Sequence, residues 1–312
     1  MTAILIKHAM TICIGILARA LVLLAFSEFL FFNEGPVGHF LGAPDAMNKA
    51  LQIAELIVFY CLPGSLLLAL EPMMTSWPRT ILAGAFVGWS IEAAMVPVAY
   101  ENVPFSFFWT SVSWHAMIDV CVGWVFLRRV MITGTAVSKI IYAVVLGFVT
   151  AIWSTWAWSD LAFEIAQFAE IFAVALALIG VGYFLSTLNS SEIKLGQVGF
   201  WIAVGVNFAM WAIWATAFLP LSLGLLVLAA FNGWVLKGAA VGKQSVNDQL
   251  YNRSGLWSLL LAVPCAVLGF WLIDMTGAST KVGELAVLFV AFGGTLIYCV
   301  AVYFALRSRV QK

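Results

Sequence analysis

The 312-residue sequence predicts an all-α, polytopic transmembrane bundle of about ten helices. Three observations carry this. Of the residues, 63% are hydrophobic and 10% charged, with a mean hydropathy of +1.03. A water-soluble domain carries roughly 25% charged residues, so this chain lacks the polar surface to stay in water. Apolar runs recur at the length of about 20 residues that a helix needs to cross a bilayer. Apart from Lys49 and Lys281, the lysines and arginines of the loops, finally, fall on one alternating set through all ten runs.

Taken in order, the expected spans are 10–32, 50–70, 80–99, 105–127, 140–160, 163–186, 197–217, 219–236, 256–274 and 285–306. The first begins after Lys7 and His8 and is too long for the apolar region of a signal peptide, so it is expected to be retained. The third and fourth are joined by the short turn Glu101-Asn-Val-Pro104, which makes them antiparallel neighbours. Residues 197–236 form 40 positions broken only by Pro220, expected as two short spans or as one span and a re-entrant piece. The longest connection, 237–255, lies between the eighth and ninth spans.

Basic residues set the orientation. Lys7, Arg79, Arg128, Arg129, Lys139, Lys237, Arg307 and Arg309 are among those on one side, whereas the other side has only Lys49 and Lys281. Both termini are therefore expected in the cytoplasm, with the protein in the plasma membrane. The chain reads as one membrane domain over 1–312. Its helices 1–6 (about 1–190) carry the polar site, and helices 7–10 (about 195–312) form an apolar frame. With 15 acidic and 15 basic residues there is no net charge to attract nucleic acid. Five widely spaced cysteines without a CxxC pair indicate neither disulfides nor a thiolate metal site, and are expected as small core residues.

The chemistry lies in ionisable groups inside the spans: Arg19 and Glu28 in the first, Glu55 in the second, Glu92 in the third, His115 and Asp119 in the fourth, Glu170 in the sixth. An acidic group at the bilayer centre costs about 2.5–3.5 kcal/mol. Five carboxylates against one arginine are tolerable only if they face the interior, are protonated or meet a cation. Counted from span midpoints, they descend from about 10 Å outside the midplane at Glu28, through Glu55, Glu170 and Glu92, to His115 near the midplane and Asp119 about 4 Å below it. His115 and Asp119, four residues apart, share a helix face. Gly84, Gly88 and Glu92 share another, where the small residues admit a close neighbour and bury Glu92. Pro97 and Pro63 are expected to free the carbonyls of Ala93 and Phe59. In the seventh to tenth spans only Asn207 and Asn232 are strongly polar.

Three resemblances bear on this pattern. The segment Trp153-Ser-Thr-Trp156-Ala-Trp158-Ser-Asp160 resembles the tryptophan-rich haem-handling motif of cytochrome c biogenesis proteins. It lacks that motif's glycine and flanking histidines, and reads instead as an interfacial aromatic belt. In length and helix number the chain is similar to the drug/metabolite transporter superfamily, with no shared motif. Glu92 and His115-xxx-Asp119 resemble the site of intramembrane glutamic proteases, without the paired glutamates and second histidine. No family follows from these.

The expectation is a transporter or permease, proton- or cation-linked, with Glu92, His115 and Asp119 at its centre and Glu55, Glu28 and Glu170 in an outward-facing vestibule. The alternatives are an intramembrane enzyme acting on a lipid or isoprenoid and a membrane scaffold subunit. No cofactor is required, although Glu92, His115 and Asp119 are the residues that would hold a divalent metal. Expected partners are the lipid bilayer and a small-molecule, ion or lipid substrate.

Overall fold

The computed structural model describes residues 2–32, 34–156, 163–188, 195–239, 255–276 and 283–310. Of the described residues 88% are helical and none lies in a strand. Among the described residues eight helices are long and apolar enough to cross a membrane, and the protein is a multi-pass membrane protein.

The first span is α1 (Thr2–Leu24), continued by π1 (Ala25–Phe29). A short helix absent from the expected set, α2 (Glu34–Gly42), then leads to α3 (Ala46–Leu70), capped by the Asp45 carboxylate on the Asn48 amide at 2.9 Å. Pro63 lies within α3 without ending it. The third span is α4 (Trp77–Trp89) continued by π2 (Ser90–Met95), and the fourth is π3 (Trp109–Leu127), running on into α5 (Arg128–Thr133). These two are not among the eight. They nevertheless pack extensively on each other, chiefly through α4 and π3. A Cβ at Gly88 would collide with the Ser111 carbonyl, so that position needs glycine for this approach, and one at Gly84 would sit tightly, 3.1 Å from Ala116. The hairpin is clipped by Ser106 donating to the Ala99 carbonyl (2.7 Å) and Trp89 to that of Phe107 (2.9 Å). Pro97 ends the third span early instead of kinking it. The residue before a proline is pushed out of helical geometry, and Val96 is extended at φ −125°, ψ 135°.

The remaining spans are α6 (Ala136–Trp156), α7 (Ile165–Ser186), α8 (Gln197–Ala215), α9 (Leu221–Gly238), α10 (Ala262–Met275) and α11 (Gly283–Val310). The region around Pro220 therefore resolves into two helices, both long and apolar enough to span. Trp158, Asp160 and the expected end of the fifth span lie outside the described residues. Trp153 is not a belt residue: it packs on Trp114 and Phe31 and donates to the Phe31 carbonyl at 3.1 Å.

Burial falls off from the middle outward. In the first span 61% of the most apolar stretch is buried, against 17% in α8, whose Trp201, Ile202 and Phe208 face outward, as lipid-facing residues do. Cys13 and Cys299 are also exposed, correcting the expectation of core positions, and all five cysteines are free. The outer helices are held to the centre by the two asparagines. Asn207 on α8 bonds Ser90 and donates to the Leu62 carbonyl (3.2 Å). Asn232 on α9 donates to the Leu82 carbonyl (2.8 Å) and accepts from Tyr298 (3.0 Å). Polar side chains in lipid do such work because an unpaired alternative is costly.

Candidate functional site

Helices of π geometry, with i→i−5 hydrogen bonds, are rare and cluster at functional positions. Here the bonds Leu30 N–H to Ala25 O (2.8 Å), Val96 N–H to Ile91 O (3.1 Å) and Ser113 N–H to Phe108 O (2.9 Å) mark the three segments. Every π-helical stretch among the described residues carries a buried ionisable group: Glu28 on π1, Glu92 on π2, His115 and Asp119 on π3. The segments are tied together directly, since Trp114 on π3 donates to the Phe26 carbonyl on π1 at 3.1 Å.

His115 is the hub. Its Nε2 lies 2.7 Å from Glu92 Oε1 and its Nδ1 2.7 Å from Asp119 Oδ2. Ser27 Oγ is 3.2 Å from the same Nδ1. A neutral imidazole has one N–H, so it cannot donate to two carboxylates at once. Either the ring is an imidazolium between two carboxylates, or one carboxyl carries a proton and donates to the ring. Both arrangements use one more proton than a neutral histidine with two ionised acids. The second oxygen of Asp119, in a side chain with 0% exposure, has no hydrogen-bond partner among the described residues.

Beyond Ser27 the contacts continue. Tyr60 on α3 is within 2.6 Å of Ser27 Oγ and bonds the Glu28 carboxylate. Sequence reading missed both hydroxyls. The signal available was Tyr60 itself, at the midpoint of its expected span, away from the interfaces where tyrosines usually gather.

Glu55 and Glu170 do not share this space. Glu55 is exposed and lines a cleft of about 340 Å³ with His39, Gln52 and Phe59. Glu170 pairs with Lys49 Nζ at 2.6 Å on the surface. The expected common vestibule thus reduces to Glu28, Glu92, His115 and Asp119. As a metal set, Glu92, His115 and Asp119 are poorly disposed: the carboxylates occupy opposite ring nitrogens and aim no donors at one point. No group of three such ligands occurs among the described residues.

Arg19 belongs to a second buried cluster. It pairs with Glu71 and lies 4.6 Å over the Trp124 ring, while Arg128 lies 3.9 Å from that ring and 3.4 Å from Glu71. Trp124 also donates to Glu71 at 2.8 Å. Arg128, expected in a water-facing loop, is thus buried at 4% exposure, because Glu71 one residue past the second span draws it in.

The fold and site define a class: a multi-pass helical membrane protein with an imidazole held between two carboxylates in its interior. Comparison with models of protein families, with curated proteins and with solved structures gives no match to this chain.

Proposed function

We propose that this protein is a proton-linked transporter or permease of the plasma membrane, with Glu92, His115 and Asp119 as its protonation centre, both termini in the cytoplasm and Glu28 toward the outer side. The carrying observation is the imidazole bonded at both nitrogens by carboxylates, deep in a bundle where the three π-helical segments of the described residues meet. Histidine changes charge in the physiological pH range, and a carboxylate on each side gives an arriving proton more than one place to rest. Buried ionisable groups in membrane helices mark ion and proton pathways by default, since they are costly to retain.

The test is flux. Purified protein in liposomes, under an imposed pH gradient with the membrane potential clamped, is read with an entrapped pH-sensitive dye. Wild type is expected to carry protons, and Glu92→Gln and His115→Ala to lose most of that flux. Absence of flux in wild type, or full flux in Glu92→Gln, rejects the reading.

One observation favours an enzyme instead: Ser27 Oγ, His115 and Glu92 stand in the order nucleophile, base, acid. Against it, Asp119 is nearer to Nδ1 (2.7 Å) than Ser27 (3.2 Å) and takes the nitrogen a nucleophile would need. Labelling of Ser27 by a serine-reactive fluorophosphonate would decide for the enzyme.

A further inference from the structure

The contacts from Glu28 to His115 form an unbroken line of exchangeable hydrogens across three helices. Tyr60 bonds Glu28, Tyr60 Oη and Ser27 Oγ are 2.6 Å apart, and Ser27 Oγ is 3.2 Å from His115 Nδ1. A hydroxyl carries one proton and accepts through its lone pairs, so with two partners it donates to one and accepts from the other. That leaves two orders for the whole line. With Glu28 ionised, Nδ1–H is shared between Asp119 and Ser27, Ser27 donates to Tyr60 and Tyr60 to Glu28. With Glu28 protonated, every donor reverses, and Ser27 donates to a bare Nδ1.

From this we infer that the Ser27 and Tyr60 hydroxyls relay protons between Glu28 and His115, making Glu28 the port of the buried centre. The inference rests on the proton-linked reading and names its route. In the inward step the Glu28 O–H bond breaks as its proton passes to Tyr60 Oη. Tyr60 gives its own proton to Ser27, and Ser27 gives its own to Nδ1. One O–H is lost at Glu28 and one N–H is gained at His115, while both hydroxyls end neutral. A bare Nδ1 faces an ionised Asp119 lone pair to lone pair across 2.7 Å, so the arriving proton turns that contact into a hydrogen bond. Side-chain packing favours a fixed route: Tyr60, Ser27 and His115 are all buried, and Trp114 pins the π1 backbone at Phe26, next to Ser27.

A relay controls rate, whereas a merely structural residue shifts the end point. Protein in detergent is subjected to a pH jump, and carboxyl protonation is followed by time-resolved infrared difference spectroscopy. Glu92→Gln and Asp119→Asn identify the bands of the centre. Tyr60→Phe is expected to keep the amplitude of those bands and slow their appearance on the order of a hundredfold. Ser27→Ala should do the same, and Ser27→Thr, which restores a hydroxyl, should recover most of the rate; this pair serves also if Tyr60→Phe fails to fold. Wild-type rates in both Tyr60→Phe and Ser27→Ala overturn the relay while leaving the liposome result standing. A centre with no pH-dependent band in wild type overturns relay and transporter together.

Discussion

Glu71 has two buried arginines leaning on it, and this sets its value to the molecule. Arg19 pairs with it, Arg128 approaches to 3.4 Å, and Trp124 donates to it while lying under both guanidinium groups. Removing one member of a buried ion pair leaves the other charge without compensation, at a cost of about 3–5 kcal/mol. Glu71→Gln is therefore expected to lower the thermal unfolding temperature sharply in detergent, much more than Glu170→Gln, whose half-exposed pair with Lys49 contributes little. Equal melting of the two variants would show that the cluster does not hold the bundle. Burial also explains which residues could be read ahead of the structure. His115 and Asp119 were legible because four-residue spacing puts them on one face whatever the helix ends are. Glu55 was not, because depth says nothing about direction. Five residues separate it from Tyr60, about 140° around an α-helix, and the inward position went to Tyr60. Glu170 could have been matched to Lys49, a basic residue on the side otherwise nearly free of them.

At the level of elements, the contact between α4 and π3 positions the site, and glycine permits it. Gly88→Ala would drive a methyl group into the Ser111 carbonyl, which is backbone and has nowhere to move. Overpacking costs typically about 1–3 kcal/mol, and here the two helices that hold Glu92 and His115 would be forced apart. The expected result is loss of stability together with loss of the pH-dependent carboxyl bands, whereas Gly180→Ala, with open space around it, should change neither. The hairpin and its small face were readable from Gly84, Gly88 and the turn at 101–104. The π geometry was not, because nothing in apolar spacing separates a helix bonded i→i−4 from one bonded i→i−5. The short α2 escaped for a related reason: Glu34–Gly42 includes Gly35, Pro36, Gly38 and Gly42, residues that read as a loop.

For the whole molecule, the polar centre and the outer helices are bolted together. Ser113 on π3 donates to the Ala291 carbonyl of α11 (3.0 Å), and Asn232 joins α9 to α4 and α11. Orientation is tested at this scale. A fluorescent-protein fusion at the C-terminus is expected to mature, and an alkaline phosphatase fusion at the same point to stay inactive, if both termini lie in the cytoplasm as proposed. A phosphatase fused in the turn at 101–104 is expected to be active. The reverse pattern would place Glu28 on the cytoplasmic side and invert the proposed direction of proton entry.

The wide segment Ala25–Phe29 has a consequence for how such a centre could arise or vanish. A π turn spends one more residue than an α turn on about the same rotation, so removing one residue from this segment would restore ordinary pitch and leave the flank that carries Arg19 close to its present bearing, while the residues inside the turn, Ser27 and Glu28 among them, would be re-aimed. One codon would thus separate a chain in which Arg19 meets Glu71 and Glu28 meets Tyr60 from one in which the first meeting survives and the second is lost.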